Sequence, residues 1–408
     1  MTAISSDIVK SVKELVKLHG KPGREVYLDS ENSGLIFPEA LEEMVRAYGA
    51  RYGNPSITHK VGWESYELLY QATDKLSRLV GASMDEIAYT HGATEANNLA
   101  ILGSAKANKI GKKILVSSVE HLSVVFPAEE LQAYGYRLVK IPVDKEGFVD
   151  LEFLERAVDK ETFLVSVAPV NHEVGTVQDL KAVIEAVKDK NPAALFHADA
   201  ADALGRMELN FDKLDVDLAS FSSHKVYGPK GAGFLYVKEG VKVEPVIRGQ
   251  VSSQKLWPGA ENIPAIAGFA NAAEAMEKFD KGKLSWLRDK LMKGILESVD
   301  HAILNGPEGS RRAPDNVNVS FLYVEGEAVT VELSLRGVYV SSGSACTSRI
   351  LQPSHVLLAI GRRYEEAHGS VLMKVTPFHE ESDIDYALTQ IPEGVNRLRT
   401  LSPVKEVR

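Results

Sequence analysis

The sequence predicts an α/β protein with a mostly parallel central sheet, helices on both faces, and a smaller α/β domain toward the C-terminus. Two observations support this fold class. Between residues 65 and 237, short apolar strands alternate with longer amphipathic helices, the order that builds a parallel sheet covered by helices. Polar and titratable residues also follow five of the predicted strands, at the sheet edge where such folds bind ligands.

The elements of this alternating region follow from the spacing of apolar residues. Apolar residues recur at helical spacing in five segments, so we predict helices over residues 66–80, 95–108, 122–134, 151–159 and 180–190. Short apolar runs bounded by turn-forming residues predict strands over residues 87–90, 113–117, 137–143, 163–168, 194–197, 217–221 and 232–237.

The flanking segments predict further elements. On the N-terminal side we expect an amphipathic helix, a short strand and a second helix, over residues 1–20, 26–28 and 39–50. A second domain is predicted to begin near Pro264. It contains predicted helices over residues 265–279, 284–299 and 326–336, and predicted strands over residues 316–321 and 338–341.

Composition limits the class of protein. The 408 residues are 44% hydrophobic and 25% charged, as in an ordinary globular chain, and the net charge of −9 predicts no direct nucleic-acid binding. Neither a signal segment nor a membrane-spanning apolar run is apparent, so we expect no membrane association and a cytoplasmic location. The single cysteine, Cys346, excludes an intrachain disulfide and a multi-thiolate metal site.

The stretch from Asp217 to Val237 is the strongest candidate for chemistry. An apolar strand ends in a polar cluster that includes Ser222, His224 and Lys225, and a Gly/Pro-rich turn leads into the next strand. Burial of a lysine at a strand end favours its neutral, nucleophilic form, which Schiff-base chemistry requires. Taken alone, this stretch is equally consistent with an exposed loop lysine.

Four other predicted strand ends carry chemically useful residues. Gly92, Ala93 and Thr94 open a helix and form a candidate phosphate cradle, although a plain helix cap at Thr94 explains them equally well. The remaining ends carry Glu120 with His121, Asn171 with His172 and Glu173, and His197 with Asp199 and Asp202. A lysine, an aspartate, a histidine and a phosphate cradle are the parts of a pyridoxal phosphate site.

A metal site is the competing interpretation. The candidate ligands are His121, His172, His197, His224 and Asp199. We favour the cofactor, because these histidines lack the short helical spacing of zinc motifs. A metal site would also leave Lys225 and the phosphate cradle without a role. We therefore predict no metal.

Five motifs resemble those of the cysteine desulfurase family, which belongs to the class V aminotransferases of pyridoxal phosphate fold type I. In chain order they are GNPS followed by His59, HGATEANNLA from His91, EH at Glu120, SFSSHKVYGPKG from Ser220 and SSGSACTS from Ser341. They span nearly the whole chain, from Tyr27 to Tyr386. The resemblance implies a large cofactor domain over residues 24–263 and a small domain formed by residues 1–23 and 264–408.

The resemblance also implies a role for each site residue. Lys225 is the lysine that forms the Schiff base with pyridoxal phosphate, His121 stacks on the cofactor ring, and Asp199 pairs with the pyridine nitrogen. The phosphate is held by Thr94, Ser222 and His224, with Ala93 beside them. Cys346 attacks the substrate sulfur and carries it as a persulfide. Its Gly/Ser-rich surroundings favour an exposed thiol over a buried one.

Four positions depart from the family's pattern. His172 replaces an asparagine and Asp202 replaces a glutamine, both expected to contact the cofactor ring. Ala260 replaces a threonine that reaches the partner subunit's phosphate. Leu372 replaces the arginine that binds the substrate carboxylate, and leucine provides no such contact.

The resemblance therefore predicts a homodimeric cysteine desulfurase that converts L-cysteine to alanine and passes sulfur to an acceptor. An iron–sulfur cluster assembly protein or a tRNA-modification enzyme is the expected acceptor. Two alternatives stay open. One is a pyridoxal phosphate-dependent lyase or aminotransferase with another amino-acid substrate, whose carboxylate is bound by one of the residues Lys374, Arg362, Arg363 and Arg248. The other is a catalytically impaired paralogue.

Overall fold

The computed structural model describes residues 22–249, 254–343 and 353–401. These residues form two compact units. The larger unit contains residues 33–172 and 176–279, and the smaller contains residues 22–32, 173–175 and those from 280 onward. The predicted helix over residues 1–20 lies outside the described residues. The predicted domain boundary near Pro264 stays a prediction, and helix Ile263–Lys278 lies in the larger unit.

The strands of both units are short. In chain order they are β1 Val26–Tyr27, β2 Ile87–Thr90, β3 Lys113–Ser117, β4 Arg137–Ile141, β5 Thr162–Ser166, β6 Leu195–Asp199, β7 Leu218–Ser222, β8 Gly233–Val237, β9 Ala302–Leu304, β10 Asn316–Phe321, β11 Val338–Tyr339, β12 Ser341–Ser342 and β13 Ser370–Lys374.

The larger unit is built on one seven-stranded sheet in the order β2-β8-β7-β6-β5-β3-β4. The pairs from β7 to β4 are all parallel, and only β8 runs against its neighbours β2 and β7. Every residue of β3, β5 and β7 is buried, so both faces of the sheet are covered. The predicted α/β class with a mostly parallel sheet is confirmed.

The helices of the larger unit have clear start signals in the sequence. Pro38 opens the first helix, and the side chains of Asp150, Asp179 and Asn262 each accept a hydrogen bond from the first turn of the helix that follows. The helices are Pro38–Ala50, Lys60–Val80, Ala93–Asn98, Ser104–Ala107, Leu122–Glu130, Leu151–Ala157, Leu180–Lys188 and Ile263–Lys278.

Most helices differ from their predicted bounds by a few residues, and two depart further from the prediction. The helix predicted over residues 66–80 begins at Lys60, because the ring of His59 accepts a hydrogen bond from the Gly62 N–H and caps it. The helix predicted over residues 95–108 contains a π-helical turn at Leu99–Gly103. Such turns add one residue to a helical turn, and periodicity alone does not reveal them.

The smaller unit combines an antiparallel sheet with a short parallel pair. The sheet has the order β12-β13-β10-β9, and β1 pairs with β11 beside it. The predicted strand over residues 338–341 is therefore two strands in different sheets. The helices of this unit are Lys281–Ser298, Gly326–Leu335, His355–Ala359, Tyr364–His368 and Glu381–Leu401. No helix in the described parts of the chain is long and apolar enough to span a membrane.

Two buried glutamate side chains, one in each unit, carry strongly raised pKa values. Burial raises the pKa of Glu120, which accepts a 2.6 Å hydrogen bond from the Ala168 N–H, to about 8. Burial likewise raises the pKa of Glu173, which accepts a 2.6 Å bond from the Ser354 hydroxyl, to about 8. Both carboxyls are therefore mostly protonated in the folded protein at neutral pH.

Because the pKa values of these two glutamates are raised, we expect the free energy of unfolding to fall as pH rises. An acid whose pKa is higher in the folded state than in the unfolded state stabilises the fold, and this stabilisation is complete at pH values below the unfolded pKa of about 4.3. For Glu120 and Glu173 it is lost as pH rises through the folded pKa of about 8. Each group contributes a slope of about 1.4 kcal/mol per pH unit in this window. We expect Glu120→Gln and Glu173→Gln each to reduce the slope, measured by urea unfolding between pH of about 5.5 and about 7.5.

Glu152 provides the matched control for this prediction. Its side chain is 89% exposed, so Glu152→Gln should leave the pH dependence of unfolding unchanged. If the free energy of unfolding depends on pH in Glu120→Gln and Glu173→Gln as it does in the parent protein, then Glu120 and Glu173 are ionised in the folded state.

Candidate active site

Lys225 lies directly beyond the carboxyl end of β7, in the larger unit. A single 3-10 turn, Ser223–Val226, carries it, and the turn ends at Tyr227 in the left-handed region with φ of 60°. The Lys225 Nζ lies 3.0 Å from Oδ2 of Asp202, and both side chains are largely buried. The two residues predicted from different strand ends therefore meet as an ion pair.

The predicted phosphate-binding residues also come together. The Ser222 hydroxyl lies 2.9 Å from Nδ1 of His224, and a Cβ placed on Gly92 would lie 3.6 Å from the Ser222 Oγ. Ala93 and Thr94 form the first turn of the helix that starts after Gly92. This turn presents backbone N–H groups beside a hydroxyl and an imidazole, a donor set suited to an anion.

A glycine on β8 makes this close approach possible. A Cβ on Gly233 would lie 2.6 Å from the Cα of Gly92 and 2.5 Å from the backbone oxygen of Phe221. No side chain fits there, so only glycine lets β7, β8 and the helix start meet at this point. Gly233 thus has a packing role at the start of β8.

Asp199 is the last residue of β6 and is almost completely buried. Burial raises the pKa of its carboxyl, while the nearby His121 and a hydrogen bond from Asn97 oppose that shift. A cation placed against Asp199 would offset the cost of burying the charge. The predicted pairing with a protonated pyridine nitrogen is chemically compatible with this environment.

Asn97 and Ser123 are site residues that sequence reasoning missed. The fully buried Asn97 amide donates one hydrogen bond to Asp199 Oδ2 and one to Ser123 Oγ, each 2.8 Å long. The Ser123 hydroxyl lies 2.7 Å from Nδ1 of His121, and the Ser123 backbone N–H donates to the same nitrogen at 3.1 Å. Nδ1 therefore accepts, and a neutral His121 ring carries its proton on Nε2.

A signal for Asn97 was present in the sequence. The motif HGATEANNLA places two adjacent asparagines inside a helix, where asparagine is unfavourable unless its side chain has a specific partner. Periodicity assigns one of them to the buried side, and only the structure shows that Asn97 contacts both Asp199 and Ser123.

The two histidines proposed for the cofactor ring are in contact. The rings of His121 and His172 meet edge to face, with centroids 5.1 Å apart. The neighbouring Asn171 donates a 2.7 Å hydrogen bond to the backbone oxygen of Val119, which positions the segment that carries His172. This arrangement supports an aromatic contact at His121 and gives His172 a place beside it.

His197, one of the ligands in the competing metal interpretation, faces two serines inside the sheet. Its Nδ1 lies 2.8 Å from the Ser166 Oγ and its Nε2 lies 3.1 Å from the Ser220 Oγ. Burial lowers its pKa to about 3, so the ring is neutral. Within the described segments, no group of three or more His, Cys, Asp or Glu side chains is arranged to hold a metal ion.

Comparison with known proteins identifies the family. The aminotransferase class-V family model matches residues 26–386. The chain is 42% identical over 383 residues to cysteine desulfurase IscS 1 of Archaeoglobus fulgidus, which covers 93% of this chain and 99% of that protein. It is 39% identical over 391 residues to the mitochondrial cysteine desulfurase of Saccharomyces cerevisiae, covering 94% and 78% respectively. This chain belongs to the cysteine desulfurase family.

A solved structure supports the same conclusion. A structure titled NifS-like protein superposes with a TM-score of 0.85 at 34% identity, and covers 92% of this chain and 100% of that one. The predicted resemblance and the pyridoxal phosphate fold type I are thereby confirmed. The cofactor of this family is pyridoxal phosphate.

The residues of the larger unit fit that cofactor. The helix start after Gly92, the Ser222 hydroxyl and the His224 ring suit its phosphate, since hydroxyl, imidazole and backbone N–H groups can all donate to an anion. The buried carboxyl of Asp199 suits a cationic ring nitrogen, and Lys225 would provide the amine for the aldehyde. The individual assignments stay predictions, but the residues they name share one region.

The departures from the family pattern are also located. Leu372 is a buried residue of β13 that pairs with Asn318 across the sheet of the smaller unit. Ala260 lines a small cavity of about 50 Å³ in the larger unit, together with Thr90 and Trp257. Neither side chain can donate a hydrogen bond. Cys346, the predicted sulfur carrier, lies outside the described residues.

The four basic residues considered as replacements for the missing arginine differ in their surroundings. Lys374 is fully buried and forms a 2.6 Å ion pair with Glu31. Arg362 donates to the side chain of Asn305 and to a backbone oxygen, and the exposed Arg363 pairs with Glu366. Arg248 is exposed. Lys374 and Arg362 are therefore occupied in structural contacts.

Proposed function

We propose that this protein is a cysteine desulfurase that converts L-cysteine to alanine and carries the released sulfur on Cys346. The observation that carries the proposal is the convergence of Lys225, Asp199, His121 and the Gly92 helix start in one unit, in a chain that belongs to the cysteine desulfurase family. The names of the relatives state the same activity for those proteins.

The chain's own residues supply positioning and proton transfer. Pyridoxal phosphate, when bound, supplies an electron-accepting ring that stabilises negative charge at the substrate α-carbon. Asp199 holds the ring nitrogen's proton, and the Nζ of Lys225 accepts the proton from the substrate α-carbon. His121, with Nδ1 committed as an acceptor, holds on Nε2 a proton that it can donate.

Sulfur transfer requires a thiolate at Cys346. Its Sγ forms a bond to the substrate sulfur while the substrate carbon–sulfur bond breaks, and the electron pair of that bond goes to the substrate Cβ. Protonation of that carbon gives the methyl group of alanine, and the proton held on the Nζ of Lys225 returns to the α-carbon. The products are alanine and a persulfide on Cys346, so one cysteine yields one alanine and one transferable sulfur atom.

The direct test is to incubate the cofactor-loaded protein with L-cysteine and a thiol reductant and to quantify alanine and sulfide. We expect the two products in equal amounts. A second function, on another amino acid, is favoured by one observation: Leu372 provides no carboxylate contact. No alanine from L-cysteine, together with an absorbance change on adding a different amino acid, would replace the proposal by that alternative.

Asn97 gives a prediction for this mechanism that has a built-in control. Its amide hydrogen bonds stabilise the charged form of Asp199, so Asn97→Ala should lower kcat for L-cysteine by about 10- to 100-fold. Among the described residues, the side chain of the adjacent Asn98 donates to the backbone oxygen of Thr94, so Asn98→Ala should leave kcat nearly unchanged. Equal rates in the two variants would remove Asn97 from the mechanism.

The homodimer is part of the proposal and has support in the larger unit. Helices Pro38–Ala50 and Lys60–Val80 expose large apolar side chains, namely Leu41, Val45, Tyr48, Trp63, Tyr66 and Tyr70. Exposed large apolar side chains, among which the rings of Trp63, Tyr66 and Tyr70 contact one another, are typical of subunit interfaces. Light scattering after size exclusion should give the mass of two chains, and the mass of one chain would contradict this.

The proposal also includes the acceptor of the sulfur and the cellular compartment of the protein. A persulfide suits delivery to a thiol of another protein, and the acceptors we propose are an iron–sulfur assembly protein or a tRNA-modification enzyme. The cytoplasm is the compartment we propose from the sequence, although the name of the yeast relative places that protein in mitochondria. Fractionation of host cells tests the compartment, and recovery in an organelle would overturn it.

A further inference from the structure

The ion pair between Lys225 and Asp202 is largely shielded from solvent. Its Nζ–Oδ2 distance is 3.0 Å, and the two side chains are only 12% and 5% exposed. An ammonium and a carboxylate at this distance attract each other more strongly in a shielded site than at a surface. Asp202 therefore stabilises the protonated form of Lys225 directly.

Three other charged or titratable side chains lie near the Lys225–Asp202 pair. Arg206 donates from Nη1 to the backbone oxygen of Lys225 at 2.9 Å, so this cation contacts the main chain. The ring of His224 forms a hydrogen bond with the Ser222 hydroxyl. Asp199, close enough for its pKa to be raised by the charge of Asp202, adds negative potential to the same region. Asp202, which contacts Nζ directly, favours a positive Nζ.

We propose that Asp202 is a positioning residue that stabilises the ammonium form of the free Lys225 side chain and so raises the affinity of the neutral Nζ for the substrate α-proton. The catalytic part of this inference rests on the proposed function. In that step the proton moves from the substrate α-carbon to Nζ, and the electron pair of the broken C–H bond stays on the substrate. Asp202 remains a carboxylate and stabilises the ammonium that forms.

This role differs from that of a glutamine at the same position. A glutamine is neutral and contributes only a hydrogen bond, whereas a carboxylate adds a full charge beside Nζ. The proposal therefore concerns the charge of Asp202 and not only its size or its ability to hydrogen-bond. Asn and Ser variants remove the charge, and a Glu variant keeps it.

The test measures the reactivity of Lys225 without using turnover. Cofactor-free protein is labelled with a limiting amount of acetic anhydride near neutral pH, and each lysine is quantified by peptide mass spectrometry, because only neutral amines react. We expect Lys225 to be labelled about 10-fold or more faster in Asp202→Asn than in the parent protein. Asp202→Glu should stay close to the parent.

Lys188 is the matched internal reference in every sample. It forms a 2.7 Å ion pair with Asp217, and its side chain is 14% exposed, so it resembles Lys225 in partner and burial. Faster labelling of Lys225 with unchanged labelling of Lys188 supports the proposal. Unchanged labelling of both lysines in Asp202→Asn overturns it.

Two further readouts keep the result interpretable. If both lysines react faster, Asp202→Asn has unfolded, and the same comparison in Asp202→Ser decides in its place. With L-cysteine deuterated at the α-carbon, Asp202→Asn should show a kcat at least about 10-fold lower and a larger isotope effect than the parent. A parent protein that does not convert L-cysteine would refute the proposed function, whereas the labelling result would still decide the role of Asp202 at Lys225.

Discussion

Replacing Lys225 by alanine is expected to lower the formation of alanine from L-cysteine by roughly 10³-fold or more. The substitution removes both the amine that bonds to the cofactor and the base that accepts the substrate proton. Alanine formation with saturating pyridoxal phosphate, followed by chromatography, is the measurement.

Lys225→Arg is the control for charge in this experiment. Arginine preserves a cation next to Asp202, so that carboxylate stays paired, but its guanidinium is neither a nucleophile nor a base at neutral pH. Both variants should therefore be inactive, and the arginine variant should match the parent protein in unfolding midpoint. Full activity in Lys225→Arg would refute the assignment of Lys225 as the catalytic amine.

Replacing Cys346 by serine is expected to eliminate sulfur transfer while leaving cofactor binding intact. A hydroxyl is far less nucleophilic toward sulfur than a thiolate, and Cys346 is the only cysteine of the chain. Sulfide released from L-cysteine should fall below about 1% of the parent value. The measurement is a sulfide assay in the presence of a thiol reductant.

The cofactor itself reports whether the serine variant is otherwise intact. Its visible absorbance should appear on adding pyridoxal phosphate and should still change on adding L-cysteine, because Lys225 and Asp199 are untouched. This pattern separates sulfur transfer from substrate binding. Sulfide production at the parent rate by Cys346→Ser would show that the sulfur leaves by a route that does not use this residue.

Much of the large unit could be predicted from the sequence because its signals are local. The apolar runs of β3, β5 and β7 are buried along their whole length, so a simple count of apolar residues finds them. Ligand-binding residues follow strand ends in sheets of this type, which explains why Asp199 and Lys225 were recognised as candidates.

The side-chain contacts that Asp199 and Lys225 make could not be predicted, because they depend on which elements of the fold are neighbours. Asp199 and Asn97 are far apart in the chain and meet only because their elements pack together in the larger unit. Asp202 was assigned to the cofactor ring from the family resemblance, as the replacement of a glutamine, whereas the structure pairs it with Lys225. Sequence periodicity carries no information on such side-chain pairs.

The smaller unit contains a buried carboxyl whose partner could not be predicted either. Glu173 follows a strand of the larger unit in sequence, and its place after Asn171 and His172 at that strand end suggested a site residue. Its carboxyl instead accepts a hydrogen bond from Ser354 and is buried within the smaller unit. The π-helical turn at Leu99–Gly103 was missed for a related reason, since it changes backbone hydrogen bonding without changing which residues are apolar.

The central claim, that sulfur from L-cysteine is carried on Cys346, is tested most directly by a single-turnover experiment. The cofactor-loaded protein is mixed with one equivalent of L-cysteine without reductant, and the intact mass, the modified peptide and free alanine are measured. The account predicts a mass increase of one sulfur atom, located on the peptide that contains Cys346, with one alanine for each modified chain. Unmodified protein and no alanine would contradict it.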